Sequence, residues 1–286
     1  MNPDHAPVQF RLAGALLRHH REVVRWTLEE AAAELGCDKS KISRIETGHR
    51  RPKPDEMLKL LEAYGLTDRE QQAIAVLTET ASRGWWGEYR DLLPGAQVDH
   101  AMLESIADDV MVYEPQALPT FLRTRRYAAA VTAADPSLQT GEERRLSVML
   151  AARRAASVRK QQEAAFTVVI GEAVLMQQVG GGDVMLSQLR QLAGQAGRLP
   201  ASVTIQVIPF SVGAHPAIGA GPLSIMRFRD VTGIGVIYEG WSANAVAIAR
   251  QAELKAAVRR FGTLRDAALS PDASLRLIRE VIDAWR

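Results

Sequence analysis

Apolar positions at the start of the chain recur every three to four residues. Leu12, Ala13, Leu16, Leu17, Val23 and Val24 fall along one side of a helix that the spacing predicts from Phe10 to about Arg25, with Arg, His and Glu residues filling the gaps. Thr27 with Glu30 forms a capping box, in which hydroxyl and carboxylate each accept an amide proton that the helix cannot satisfy, and opens a short second helix ending near Leu35. Gly36 supplies a left-handed residue to stop it, and Asp38 is placed to cap a third helix, Lys39 to Thr47, with Ile42 and Ile45 on one face. After Gly48, Pro52 and Pro54, a stripe of Met57, Leu58, Leu61 and Tyr64 marks a fourth helix over 55–64. A second capping box, Thr67 with Glu70, opens a fifth that reaches about Ala81.

The stretch SRGWWGEYRDLLPG, 82–95, breaks this period, and the domain boundary is expected here, between residues 1–82 and 83–286. Helical spacing returns over Asp99 to Tyr113, over Thr120 to Ala134, and after Thr140, which forms a third capping box with Glu143. The texture then becomes β-branched. Phe166 to Ile170, Val203 to Ile208, Leu223 to Phe228 and Gly235 to Tyr238 are strand candidates, with an amphipathic helix from Asp183 to about Gly197 between the first two. Helices over Ala245 to Leu269 and, behind Ser270 and Pro271, up to Trp285 close the pattern. The expected fold is a mainly α N-terminal domain of five helices followed by an α+β domain whose small sheet is covered by helices.

Composition changes this picture little. At 286 residues, two domains are the natural expectation, and no run of some eighteen apolar residues or secretory leader is visible, so a cytoplasmic location is expected. The single cysteine, Cys37, leaves no intramolecular disulfide and no multi-cysteine metal site. A net charge of +2 is too small for bulk attraction to nucleic acid. Where the cations sit matters more: Lys39, Lys41, Arg44, Arg50, Arg51 and Lys53 stand against the single acid Glu46 over 39–53.

A short helix, a glycine turn and a second helix bearing this basic face have the spacing of a helix-turn-helix, whose second helix enters the major groove of double-stranded DNA. An ordinary helical hairpin with a solvated basic face is the alternative. TLEEAAAELGCDKSKISRIETGHRRP resembles the Xre family of bacterial regulators. That resemblance implies that Lys39, Ser40 and Arg44 face the bases, that Thr27, Lys41, Ser43 and Arg51 meet phosphates, and that Arg21 pairs with Glu46 to hold the reading helix. The sequence departs from the family at Arg25, where glycine is usual, at Leu28 in place of a glutamine, and at Ala31 in place of a larger residue. His20 and Cys37 stand where the family is apolar; they are expected to be structural, against the alternatives of a pH sensor and a redox thiol.

In the second domain, VGGGDVMLSQL could offer amides to an anion or simply make a turn. No zinc-protease, nucleophile-elbow, P-loop or dinucleotide motif is present, so neither catalysis nor a metal or cofactor is expected. GWWGEYRDLLP, ALPTFLRTRRYAAAV, VTIQVIPFSVGAHPAIGAGPLSIMRF and VIYEG look like the C-terminal domain of antitoxin-like regulators of high-GC bacteria. The resemblance implies a regulator controlled by a small protein encoded nearby, and since one reading helix covers only a few base pairs, a homodimer on a palindromic operator is expected. The other readings are a repressor answering a metabolite near Trp85, Trp86, Arg123, Tyr127 or His215, and an enzyme whose DNA-binding part serves autoregulation.

Overall fold

A computed structural model describes residues 8–194, 199–219, 221–240 and 246–285. Its first part is helical: α1 (Val8–Val23), α2 (Leu28–Leu35), α3 (Lys39–Glu46), α4 (Pro54–Ala63) and α5 (Asp68–Arg83). Both capping boxes form, Thr27 with Glu30 and Thr67 with Glu70. Asp38 occupies the position before α3, but its side chain makes no capping bond, contrary to expectation. The turn after α1 carries Arg25 in the left-handed region at φ 61°, so a position that suits glycine is crossed by a strained arginine. Leu12, Leu16, Leu17, Ile42, Ile45, Leu60 and Leu61 are buried together in this part.

A 3₁₀ turn over Trp85–Tyr89 leads to α6 (Gly95–Ile106), which ends earlier than the expected helix to Tyr113. The chain then enters β1 (Asp109–Glu114). Val110, Met111, Val112 and Tyr113 are all buried, because β1 is central and covered on both faces, so the segment lacks the alternation that marks a half-exposed strand. After α7 (Arg125–Ala133) and α8 (Gly141–Lys160) come β2 (Ala165–Gly171), the single-turn α9 (Ala173–Met176), α10 (Gly182–Leu192), β3 (Val203–Ile208), β4 (Leu223–Arg227), β5 (Ile234–Glu239) and β6 (Val246–Arg250). The residues of β6 were expected to be helical; α11 (Gln251–Ala267) begins only after it, and α12 (Pro271–Ala284) closes the order. Two alanines in VAIAR favour helix locally, and pairing with β5 overrides them. The expected helix end at Gly197 and start at Ala245 lie outside the described residues.

The six strands form one sheet in the order β3-β2-β1-β4-β5-β6, with β1, β2 and β3 parallel and β4, β5 and β6 joined antiparallel. Side chains alternate across it. Val110 and Val112 enter the large core shared with α6, α8 and the helical domain, while Met111 and Tyr113 face a second core with Phe261 and Leu264 of α11. The outer edge of β3 is closed by α12, whose Ser274 hydroxyl accepts the Val207 N–H at 2.9 Å. At the other edge, α1 lies against β5 and β6. Gly233 there has φ 79°, and a Cβ on it would overlap the His19 ring. Arg69–Asp230 at 2.9 Å and Arg250–Glu22 at 3.3 Å also join the two parts. No helix among the described residues is long and apolar enough to cross a membrane.

Candidate nucleic-acid interface

α3 is held from three sides. Its Ile42 and Ile45 are buried at 1% and 0% exposure, filling the space above α1 and α2. Gly14 of α1 lets the backbones touch: a Cβ there would overlap the Ile45 carbonyl oxygen and come 2.8 Å from that of Glu46. At the far end, the Arg21 guanidinium donates to both oxygens of Glu46, Nε to Oε1 at 2.6 Å and Nη2 to Oε2 at 2.8 Å, and Nη1 donates to the Trp26 carbonyl at 2.6 Å. The bond to Glu46 holds the guanidinium pKa above its usual value. The pair thus fastens α3 to both α1 and the turn behind it. Gly48, at φ 78°, then carries the chain past the Arg11 backbone.

Lys39, Ser40 and Arg44 remain exposed on the outer side of α3. Lys39 Nζ meets Glu29 Oε1 at 2.8 Å, a solvent-exposed pair of the kind that exchanges readily for another anion. Arg44 Nε donates to the Ser40 carbonyl at 3.2 Å. The residues expected at phosphates are placed differently from one another. Lys41 is largely covered and paired with Glu56 at 2.7 Å, where it holds that carboxyl below the usual range and ties α3 to α4. The Thr27 hydroxyl is engaged in its capping box, Ser43 is half-buried, and Arg51 is exposed, with its guanidinium 5.9 Å from the centre of the Phe10 ring. Glu29 and Glu56, which moderate the basic face, come from neighbouring helices and carry no signal in the spacing of α3 itself. Cys37 is partly exposed and packs on the core beneath the turn.

The five residues considered for a metabolite are not gathered at one place. Trp85 and Trp86 stack edge to face, with ring centres 5.8 Å apart, and Trp86 is buried. Arg123 Nε donates to the Leu118 carbonyl at 2.8 Å, and the fully buried Tyr127 accepts the Leu118 N–H at 3.4 Å. These four stand on the large-core side of the sheet. His215 stands against Tyr113, which faces the second core, with ring centres 6.2 Å apart. The sheet therefore separates His215 from the others, a separation invisible to a reading that placed them only by residue type.

An exposed, basic second helix locked over a glycine turn defines a helix-turn-helix protein, and residues 12–74 match the family described as a helix-turn-helix domain. Residues 97–280 match the family described as a domain of unknown function, DUF5753, and the chain belongs to that family. No curated protein and no solved structure matches the chain. The helix-turn-helix domain marks a DNA-binding regulator.

Proposed function

We propose that the protein is a sequence-specific transcriptional regulator of the Xre type, homodimeric and antitoxin-like, located in the cytoplasm and without catalytic activity. In this reading residues 1–82 bind a palindromic operator, and residues 83–286 receive a small protein partner and help to form the dimer. Its main support is the partition of α3: Ile42, Ile45 and Glu46 are immobilised, and Lys39, Ser40 and Arg44 are left together on the outer face. Arg and Lys suit the O6 and N7 acceptors of guanine, and serine tolerates several bases. One such helix spans only a few base pairs, so two of them a helical turn apart give usable specificity.

Selection of duplexes from a random pool by the full chain tests this reading. The expected product is a two-fold-symmetric motif with guanine in each half-site. Recovery of unrelated sequences, or retention that ignores sequence, would falsify sequence-specific reading. Binding of the selected duplex with and without the co-purified product of the adjacent gene then tests partner control.

A further inference from the structure

A cavity of about 520 Å³ opens where α6 and α8 pass over the carboxyl end of β1 and the adjoining ends of β4 and β5. Crevices at the carboxyl ends of strands in open α/β sheets are favoured ligand sites. One ionic group in its wall is self-contained. Arg154 donates to Glu104 through Nε at 2.9 Å and Nη2 at 2.7 Å, and Nη2 also meets His100 Nδ1 at 2.8 Å. Since Nδ1 accepts from a guanidinium, the imidazole is neutral and carries its proton on Nε2; burial and Arg154 both push its pKa well below the usual value.

Other polar atoms of the wall have no partner. Ser224 Oγ, on a residue 6% exposed, Tyr238 Oη and Glu114 Oε2 are buried without a hydrogen bond among the described residues. Arg123, the principal cation acting on Glu114, directs its Nε–H to Leu118 instead. Asp135, also in the wall, uses Oδ1 for the Ser137 amide and hydroxyl. With Glu104 and Arg154 cancelling, the remaining carboxyls of the wall are those of Glu114 and Asp135, with the Arg123 charge near Glu114 but not hydrogen-bonded to it among the described residues. Phe121 and Val112 supply apolar surface beside them, and the Tyr238 ring stands 4.5 Å from that of His100. An unpaired carboxyl oxygen, two unpaired hydroxyls able to accept a hydrogen bond, and aromatic faces are complementary to a cationic nitrogen on an apolar body.

We infer that this cavity is a binding site for a small organic amine, whose ammonium is received by Glu114 with the Ser224 hydroxyl beside it. Burial pushes the Glu114 carboxyl up to about 7, so an arriving ammonium draws it back to the carboxylate and releases its proton. Amine affinity therefore rises with pH across that value, as long as the amine itself stays charged.

Calorimetric titration of the full chain with 2-phenylethylamine, 2-phenylethanol and 3-phenylpropanoate tests the site with three compounds of similar size and different charge. The amine is expected to bind roughly tenfold more tightly than the alcohol, and the propanoate more weakly than either. Glu114→Gln, which preserves shape, is expected to bring the amine down to the affinity of the alcohol and abolish proton release, with the alcohol unaffected. Ser224→Ala, a second variant in case the first does not fold, is expected to weaken the amine several-fold. No binding of the amine, an amine no tighter than the alcohol, or an amine affinity unchanged in a folded variant would overturn the assignment. Because the titration contains no DNA, its failure leaves the regulator reading untouched.

Discussion

Arg21 and Glu46 show how much of α3 depends on a single buried pair. Both are about nine-tenths covered and bond bidentately, so removing one partner strands a charge in the core. Glu46→Gln should cost about 3 kcal/mol in urea unfolding, while Arg21→Met with Glu46→Leu should cost less than that single change. A loss in the double variant equal to the sum of the two single losses would show that the pair does not act as a unit. His20 contributes with a different sign. Burial first, and His19 second, lower its pKa from 6.5 to about 4, and its Nε2 has no hydrogen bond among the described residues. Between those values the unfolded chain takes up the proton first, so stability is complete above the upper value and falls as pH drops toward the lower one. His20→Leu should flatten that fall in denaturant titrations compared at about pH 7 and about pH 5, although His100 adds a slope of the same sign. At Arg25, the left-handed backbone predicts that Arg25→Gly raises stability by roughly 1 kcal/mol, measured in the same titrations.

At the level of elements, the crossing of α1 and α3 is set by Gly14. An added methyl would meet the Ile45 and Glu46 carbonyls, backbone atoms that cannot swing away. Gly14→Ala should therefore destabilise the helical domain by about 2 kcal/mol or more, visible as a lower midpoint of thermal unfolding. The helices here were legible because their signals are local. Thr27 and Glu30, or Thr67 and Glu70, stand three residues apart, and the inward direction of Ile42 and Ile45 follows from helical spacing alone. β1 and β6 were not legible. Their state is decided by partners far along the chain: Ala165 to Ile170 and Leu223 to Arg227 for β1, and Ile234 to Tyr238 for β6. The same limit governs the sites. The outward cations of α3 could be read from their spacing, but Glu29 and Glu56 beside them could not. Nor could the cavity at Glu114, which is assembled from segments as distant as Gln97 and Tyr238.

For the whole molecule, the main question is how the α+β domain could influence α3. The polar contacts available are modest, two partly exposed ion pairs, Arg69–Asp230 and Arg250–Glu22, and they stand beside the apolar core that the two parts share and the close approach of His19 to Gly233. Such pairs contribute about 0–1 kcal/mol each, so the junction fixes α1 through shape more than through charge. On DNA, each phosphate contact by a cation should steepen the loss of affinity with salt by a slope of about 0.9. Arg51→Ala should then weaken binding alike on all sequences and reduce that slope by about one, if Arg51 serves a phosphate. Arg44 is predicted to behave otherwise, and the difference tests the regulator reading directly. The decisive measurement is competition binding of the selected duplex and its single-base variants to the chain and to Arg44→Ala. Loss of about 1–3 kcal/mol at one position of each half-site, with relaxed preference there, is the predicted result. Equal affinity and equal selectivity in the two proteins would contradict reading by α3.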